Sequence, residues 1–171
     1  MILRVLTLAG GVTGAVGLSQ FPEFTQHYIQ RTGGAVDELH RQIARYETDA
    51  DKLGLSLQEL LAELSAEGPR GKTQADNIQS DIARHERLAS ALETLRGAGP
   101  FSRVRLIGQL NDPEIAERTL QDFRPAVPAT FEGAVFAGTG FAAGWAAVLA
   151  TLSVLGSLWS LLTRPLRRRA A

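Results

Sequence analysis

The sequence predicts an all-α protein in which two transmembrane helices flank an extramembrane antiparallel helical hairpin and short additional helices. Three observations predict this fold class. Each end carries an apolar segment without charges, the middle carries a heptad repeat of apolar residues, and no segment alternates between apolar and polar residues as a strand would. A chain of 171 residues has room for one domain plus two membrane anchors.

The charges are sorted along the chain although their sum is zero. All 18 acidic residues lie between Glu23 and Glu132, together with only 13 of the 18 basic residues, so this stretch has a net charge of −5. Such sorting is typical of membrane proteins and unusual in soluble domains. The chain has no cysteine, which excludes a disulfide framework and a thiolate metal site.

The N-terminal segment, residues 1–20, is predicted to be the first transmembrane helix. The run VLTLAGGVTGAVGL is mostly apolar and follows the single basic residue Arg4. A cleaved signal peptide is the alternative, because a short basic start, an apolar stretch and the small residues Ala15 and Gly17 also match that pattern. The very short basic region favours a helix that is retained.

The stretch SQFPEF, which follows the first apolar segment, is predicted to mark the membrane interface. Phe21 and Phe24 would lie near the lipid headgroups while Glu23 reaches water. Pro22 lacks a backbone N–H and suits the first turn of a new helix, with Ser19 as a candidate N-cap. An ordinary turn between two soluble helices is the alternative.

The extramembrane domain, residues 21–125, is predicted to contain a helical hairpin with arms at 35–66 and 74–96. Apolar residues recur at alternating spacings of three and four along both arms, which is the pattern of a helix that buries a narrow seam. The sequence EGPRGK between the arms cannot continue a helix. The predicted seam residues are Leu39, Ile43, Tyr46, Leu53, Leu57 and Leu60 on the first arm and Ile78, Ile82, His85 and Leu92 on the second.

The register of this seam predicts which residues of the two arms face each other. If the chain folds back about residues 69 and 70, Leu57 faces Ile82 and Gly54 faces His85. Ser56 and Glu59 could form a capping box and allow a break in the first arm. The unbroken heptad register nevertheless predicts a single helix with at most a kink.

Two short helices are predicted after the hairpin, at 101–110 and 112–124. The sequence GAGP ends the second arm, and the residues that follow it form an amphipathic segment. Asp112 followed by Pro113 is typical of an N-cap and the first residue of a helix. Pro125 ends that helix and leads to the second membrane segment.

The C-terminal segment, residues 129–163, is predicted to be the second transmembrane helix, and residues 164–171 a basic cytoplasmic tail. The 31 residues from Gly133 to Thr163 carry no charge, and about 20 apolar residues suffice to cross a bilayer. A buried helix of a soluble domain is the alternative, although a domain of this size could not cover such a helix on all sides. Trp159 is the predicted interfacial anchor, and the tail contains Arg164, Arg167, Arg168 and Arg169.

Clustered arginines beside a spanning helix mark the cytoplasmic side of a membrane. With Arg4 also on that side, both termini are predicted to be cytoplasmic and the central domain periplasmic. The arginine tail could in addition bind anionic lipid headgroups, although marking the topology is the simpler explanation.

Each membrane segment contains a G-x-x-x-G motif, Gly10 with Gly14 and Gly140 with Gly144. Small residues at this spacing let two helix backbones approach closely. These glycines are therefore predicted to pack membrane helices together, either within one chain or with a partner.

No catalytic residue, cofactor or metal site is predicted. Glu23 and His27 share one helix face, but a metal ion needs further ligands, and the hairpin places His40 and His85 far from them and from each other. The histidines are therefore predicted to lie at the interface or on the surface. No glycine-rich phosphate loop follows a strand, and the acidic balance of the domain argues against a nucleic-acid partner.

The phrase SQFPEFTQHYIQR at residues 19–31 and the DEL at residues 37–39 resemble the Domain of Unknown Function 2937 family. The resemblance covers the chain end to end, and this N-terminal phrase is its specific part. That resemblance implies a short bacterial inner-membrane protein with an apolar start, an acidic helix that begins DEL and a C-terminal apolar helix, and it implies no activity. The matching residues are Ser19, Gln20, Pro22, Glu23, Phe24, Gln26, Tyr28, Gln30, Arg31, Asp37, Glu38 and Leu39.

The leading hypothesis for function is a non-catalytic accessory, assembly or scaffolding component of a bacterial inner-membrane complex. Its expected partners are membrane lipids and other membrane proteins or further copies of itself. A periplasmic sensor or ligand-binding module that signals through a partner is the second hypothesis. A membrane enzyme acting on lipid or envelope precursors, with Glu23, His27 or Glu132 near the interface, is a remote third.

Overall fold

The computed structural model describes residues 1–125 and 129–163, and every regular element in those ranges is a helix. The all-α prediction is therefore confirmed. The predicted basic tail, with Arg164, Arg167, Arg168 and Arg169, lies outside the described residues. In chain order the elements are α1 (Ile2–Ser19), α2 (Phe21–Lys52), α3 (Leu57–Ala66), α4 (Pro69–Gly97), α5 (Pro100–Arg103), a 3-10 helix (Val104–Gln109), α6 (Pro113–Asp122) and α7 (Phe131–Thr163).

The chain divides into two units: a helix pair built from α1 and α7, and a helical domain of residues 24–123. In the helix pair the two helices are antiparallel, since Gly10 lies against Val148 while Gly14 lies against Gly140. Two helices of the described chain, one starting at Ile2 and one at Phe131, are long and apolar enough to cross a membrane.

The core of the helical domain lies where α2, α4 and α6 meet. Its members are all at most 5% exposed, and partly buried residues such as Leu106 and Leu110 pack against them. Burial of each large apolar side chain stabilises a fold by about 1.5–3 kcal/mol, so this cluster carries much of the stability of the domain. The core residues are Tyr28 and Ile29 of α2, Leu88, Leu92 and Leu95 of α4, and Ile115 of α6.

The prediction of one unbroken helix through 35–66 is wrong, because α2 ends at Lys52 and α3 begins only at Leu57. Gly54 has φ = +74°, a conformation that glycine adopts without steric cost. Ser56 then caps α3: its backbone N–H donates to Glu59 Oε2 at 2.7 Å, and its Oγ accepts from the Glu59 N–H at 3.3 Å. The capping box satisfies the first N–H groups of a new helix and so stabilises the break.

The turn between α3 and α4 brings two helix backbones into contact. Gly68 has φ = +101°, and Pro69 starts α4 directly after it, five residues before the predicted start at 74. A Cβ atom on Gly71 would lie 2.1 Å from the carbonyl oxygen of Leu64. Only glycine at this position allows α3 and α4 to pack this closely.

The register between α2 and α4 also differs from the predicted one. His85 of α4 faces His40 of α2, with ring centroids 5.8 Å apart, and not Gly54. One turn away, Gln42 and Tyr46 bond to Asp81 at 2.9 and 3.1 Å. The register differs because the first arm breaks after Lys52. Helix α3 therefore packs against α4 in its own register, and α2 packs against α4 in a different one.

Consequently the predicted seam residues differ widely in burial. Leu92 and Ile78 are 5% and 3% exposed, whereas Leu53 is 66% exposed in the turn after α2. The other predicted seam residues are half-buried, namely Leu39, Ile43, Tyr46, Leu57, Leu60, Ile82 and His85, with Leu39 packed against the core.

The predicted α-helix at 101–110 is instead a single α-turn, α5, followed by a 3-10 helix. The backbone leaves helical geometry at Leu106, where the side chain packs against the core. The Nε atom of Arg103 donates to the carbonyl oxygens of Leu95 and Ala98 at 3.2 and 3.1 Å. This contact adds a donor at the end of α4, where the Leu95 carbonyl also accepts a hydrogen bond from the Ala98 N–H at 3.4 Å.

Candidate functional site

A charged groove lies between α2, α4 and α6 of the helical domain. It has a volume of about 320 Å³ and adjoins a second hollow of about 330 Å³, and the two share Arg31. The first is lined by Arg31, Ala35, Glu38, Leu39, Arg84, Glu114, Ile115 and Arg118, and the second by His27, Gln30, Arg31, Gly34, Thr119 and Asp122.

Arg84 connects α4 to the start of α6. Its guanidinium lies 3.3 Å from Asp112 Oδ1 and 2.8 Å from Glu114 Oε2. Partial burial alone would lower the pKa of Arg84, but the bond to Glu114 and the charge of Asp112 outweigh burial and raise the pKa above its ordinary value. The same Asp112 oxygen accepts from the Ile115 N–H at 3.0 Å, which caps α6. One carboxylate therefore both starts α6 and fixes it to α4.

Tyr28 connects α2 to the same point from inside the core. The side chain is 1% exposed, and its hydroxyl oxygen accepts a hydrogen bond from the Asp112 N–H at 3.2 Å. Burial raises the pKa of the Tyr28 phenol above its ordinary value, so the hydroxyl is neutral at physiological pH. Thr32 donates to the Tyr28 carbonyl at 2.8 Å, which satisfies its buried hydroxyl within α2.

The other charges of the groove form ion pairs along its rim. Arg31 of α2 bonds to Asp122 at the end of α6, and Arg118 lies 2.9 Å from Glu114 within α6. Arginines and carboxylates therefore alternate around the opening, and the groove offers both donors and acceptors to a polar molecule. Among the described residues, no group of three or more His, Asp or Glu side chains could hold a metal ion.

The sequence reasoning missed this site because it began the heptad register at residue 35. The same three- and four-residue spacing extends upstream through Thr25, Ile29 and Thr32, which are all buried. It is not visible as an apolar pattern because two of these three residues are threonines. A threonine hydroxyl that bonds to its own helix, as that of Thr32 does, allows such a residue to occupy a buried position.

In the helix pair, the structure brings the four G-x-x-x-G glycines to one contact between α1 and α7. A Cβ atom on Gly14 would lie 2.2 Å from the Gly140 carbonyl oxygen, and one on Gly144 would lie 2.2 Å from the Gly10 carbonyl oxygen. The two backbones therefore touch without intervening side chains, as in close packing of membrane helices. A Cβ on Gly17 or Gly138 would meet open space.

The residues of the SQFPEF stretch lie at the ends of their helices. Ser19 ends α1 and donates to the Val16 carbonyl at 2.9 Å, so it does not cap α2. Phe21 and Pro22 open α2 half-buried, and Phe21 lies 5.6 Å from Phe136 within the helix pair. Exposed Glu23 follows in the same turn, and Trp159 near the end of α7 is 70% exposed.

Phe24 and Phe123 form the two ends of the helical domain, and their rings lie 6.0 Å apart in an edge-on contact. His27 packs its ring on the same Phe123, also at 6.0 Å. The first and last residues of the domain therefore lie together at one end of it.

The comparison with known proteins identifies the family of the chain. A family model for a protein of unknown function, DUF2937, matches residues 2–160, which is nearly the whole chain. No curated protein and no solved structure matches significantly. This family match agrees with the resemblance of the N-terminal stretch. The chain is therefore a member of the DUF2937 family.

Proposed function

We propose that the protein is a non-catalytic accessory, assembly or scaffolding component of a bacterial inner-membrane complex, and that it acts through a periplasmic helical domain. The observation that carries this proposal is the incomplete burial of the heptad seam. The domain closes its core at Tyr28, Leu95 and Ile115. Beyond that core Ile78 is buried, but most of the other predicted seam residues are half-buried and Leu53 is two-thirds exposed.

The antiparallel helix pair supports the anchoring part of the proposal. An antiparallel pair returns the chain to the side from which it started, so the domain inserted between α1 and α7 lies on the opposite side from both termini. Arg4 and the four tail arginines assign the terminal side to the cytoplasm by the positive-inside rule. The domain is then periplasmic.

The half-buried seam supports the docking part of the proposal. Ile43, Leu57 and Leu60 retain apolar surface that water still reaches, and Leu53 adds a largely uncovered side chain in the turn after α2. Covering apolar surface contributes about 25 cal/mol per Å², so a partner helix laid on this face gains affinity that the free domain does not use. Helix-in-groove docking is a common way to complete such a face.

Gentle detergent extraction followed by native mass measurement tests this function. We expect the wild-type protein to migrate in an assembly with other membrane proteins, and Leu53→Lys to release it, because a charge cannot be buried on the apolar face. Thr48→Lys is the matched control, since it adds the same charge at an exposed position of α2. A wild-type protein that migrates as a bare monomer, identical to both variants, would overturn the proposal.

The charged groove favours a second candidate function, a periplasmic ligand-binding module that signals through a partner. Arg31, Arg84 and Arg118 offer guanidinium groups to a small carboxylate or zwitterion. A panel of amino acids and dicarboxylates tests this candidate by thermal unfolding. A rise in melting temperature that is lost in Arg118→Gln would favour the sensor, and no shift with any of these compounds would count against it.

A further inference from the structure

We propose that the segment from Phe101 to Ile107 is an interfacial turn that rests on the periplasmic surface of the bilayer. In this proposal an apolar row enters the headgroup region and Arg105 contacts anionic lipid headgroups. The inference rests on the proposed membrane anchoring and adds a second, peripheral contact between the helical domain and the lipid surface.

The apolar row consists of Phe101, Val104 and Ile107, which are 47%, 46% and 61% exposed. Phe101 lies in α5, and Val104 and Ile107 lie in the 3-10 helix on either side of the break at Leu106. Three large apolar side chains are thus exposed within seven residues of one rigid segment. Exposed apolar side chains grouped in this way are typical of an interaction site.

The segment is held rigidly by its opposite side. Leu106 and Leu110 pack against the core, and Arg103 is fixed by its bonds to the carbonyls at the end of α4. The 3-10 helix is therefore not free to turn its apolar row inward.

The position of the segment within the domain points to lipid. Arg103 donates to the side chain of Gln26 at 3.2 Å, and Gln26 lies two residues after Phe24, about 3 Å along α2 at 1.5 Å per residue. Phe24 and Phe123 are the first and last residues of the domain, and they lie together at one end of it. Through Arg103 the turn therefore contacts the end of the domain at which the chain continues toward α1 and α7.

The charge of the segment favours the same occupant. Arg105 is exposed beside the apolar row in a domain whose balance is otherwise acidic. Aromatic and aliphatic side chains combined with arginine are typical of elements that lie in the membrane interface. A partner helix would need no such cation, whereas anionic headgroups attract it.

Site-directed spin labelling tests the proposal, and the absence of cysteine from the sequence makes each introduced cysteine unique. The full chain is placed, one copy per nanodisc, in bilayers of phosphatidylcholine with phosphatidylglycerol. Labels at Ile107→Cys, Leu155→Cys and Glu63→Cys are compared by their accessibility to oxygen, which enters lipid, and to a water-soluble nickel complex. All three positions are exposed, so the variants should keep their helical content.

The proposal predicts that the Ile107 label is protected from nickel and accessible to oxygen, in the same sense as the Leu155 label on α7, while the Glu63 label on α3 shows the reverse. An Ile107 label that behaves like the Glu63 label, or that is shielded from both reagents, would overturn this inference and leave the anchoring intact. A Leu155 label accessible to nickel would overturn the anchoring itself, and the inference with it.

The contribution of Arg105 is tested in the same nanodiscs. Arg105→Gln should shift the Ile107 label toward water by about fivefold in the ratio of docked to undocked states, as expected for one basic residue at an anionic surface. Arg87→Gln, at an exposed position of α4, is the control and should leave the ratio unchanged. Equal behaviour of the two variants would refute the contact between Arg105 and the headgroups.

Discussion

Single glycines decide how closely α1 and α7 approach. A methyl group at Gly14 would fall 2.2 Å from the Gly140 carbonyl oxygen, where the neighbouring backbone cannot move aside without separating the helices. We expect Gly14→Ala to destabilise the helix pair by about 1–3 kcal/mol, the usual cost of overpacking. Thermal unfolding in detergent should show a lower melting temperature, by about 2–4 °C per kcal/mol for a chain of this size.

The matched controls for this glycine prediction lie in the same two helices. Gly17→Ala in α1 and Gly138→Ala in α7 add the same methyl group where nothing lies within 4 Å. Both should be neutral or slightly stabilising, because alanine favours a helix more than glycine does. Equal melting temperatures for Gly14→Ala and its controls would show that the glycine contact does not hold the pair together.

The Tyr28 hydroxyl connects α2 to the start of α6 within the helical domain. Tyr28→Phe removes the acceptor of the buried Asp112 N–H, and an unsatisfied buried donor costs about 1–3 kcal/mol. Urea unfolding should reveal this loss. The Tyr46 hydroxyl bonds to Asp81 at the half-buried contact between α2 and α4. Tyr46→Phe should lower the free energy of unfolding by less than Tyr28→Phe, because water can replace the lost hydroxyl at the Asp81 carboxylate.

The pH dependence of stability provides a second test of Tyr28. Burial raises the phenol pKa in the folded state above the ordinary value of about 10. The folded state therefore holds this proton more tightly than the unfolded state. The corresponding stability is fully present below pH 10 and is lost as the pH rises through the folded-state pKa. Above about pH 10 the wild type should lose stability more steeply than Tyr28→Phe, and parallel curves would contradict the assignment.

At the scale of elements, the capping box at Ser56 makes α3 a separate helix. The Ser56 backbone N–H and then its hydroxyl lower the pKa of the Glu59 carboxyl, which is consistent with a carboxylate held by both groups. Ser56→Ala should destabilise the start of α3 by about 1 kcal/mol. Hydrogen exchange of the α3 amides measures the effect.

Ser65→Ala is the control for the capping prediction, since that hydroxyl donates only to the Leu61 carbonyl of its own helix. We expect α3 amides to exchange faster in Ser56→Ala and at the wild-type rate in Ser65→Ala. Unchanged exchange in both variants would mean that tertiary packing alone sets the start of α3.

The sequence predicts helices well and their partners poorly, and the reason is physical. Proline at the start of α6, the charge-free run of α7 and the heptad spacing of α2 are local signals that the sequence carries directly. The pairing of His40 with His85 depends instead on where the first arm breaks. Gly54, with its positive φ, and the capping box at Ser56 break the first arm, although the heptad register is continuous in the sequence.

In the candidate site, too, local features could be predicted from the sequence and contacts between helices could not. The glycine motifs were visible because their spacing alone reveals a helix face. The charged groove was not, because Arg84, Asp112 and Glu114 come from helices whose packing the sequence does not specify. Thr25 and Thr32 lie at heptad positions of α2 and are buried. Counting threonines as core residues at these positions would have extended the predicted core toward the start of α2.

At the scale of the whole molecule, the charge distribution and the antiparallel helix pair support one arrangement. The ends carry the positive charge, the domain between them carries the negative charge, and two apolar helices separate them. In the proposed function, the two apolar helices confine the domain to the membrane surface, where its effective concentration toward other membrane proteins is high. The proposal therefore requires only weak contacts on the half-buried seam.

Photo-crosslinking in intact cells tests this central claim most directly. A photoreactive amino acid at position 53, in the exposed turn after α2, should give discrete adducts with a membrane protein, while the same group at position 48 should give few. Detection of those adducts by mass would support a docking role and identify the partner. A probe at position 53 that yields no adduct, in cells where the full chain is present in the membrane, would contradict it.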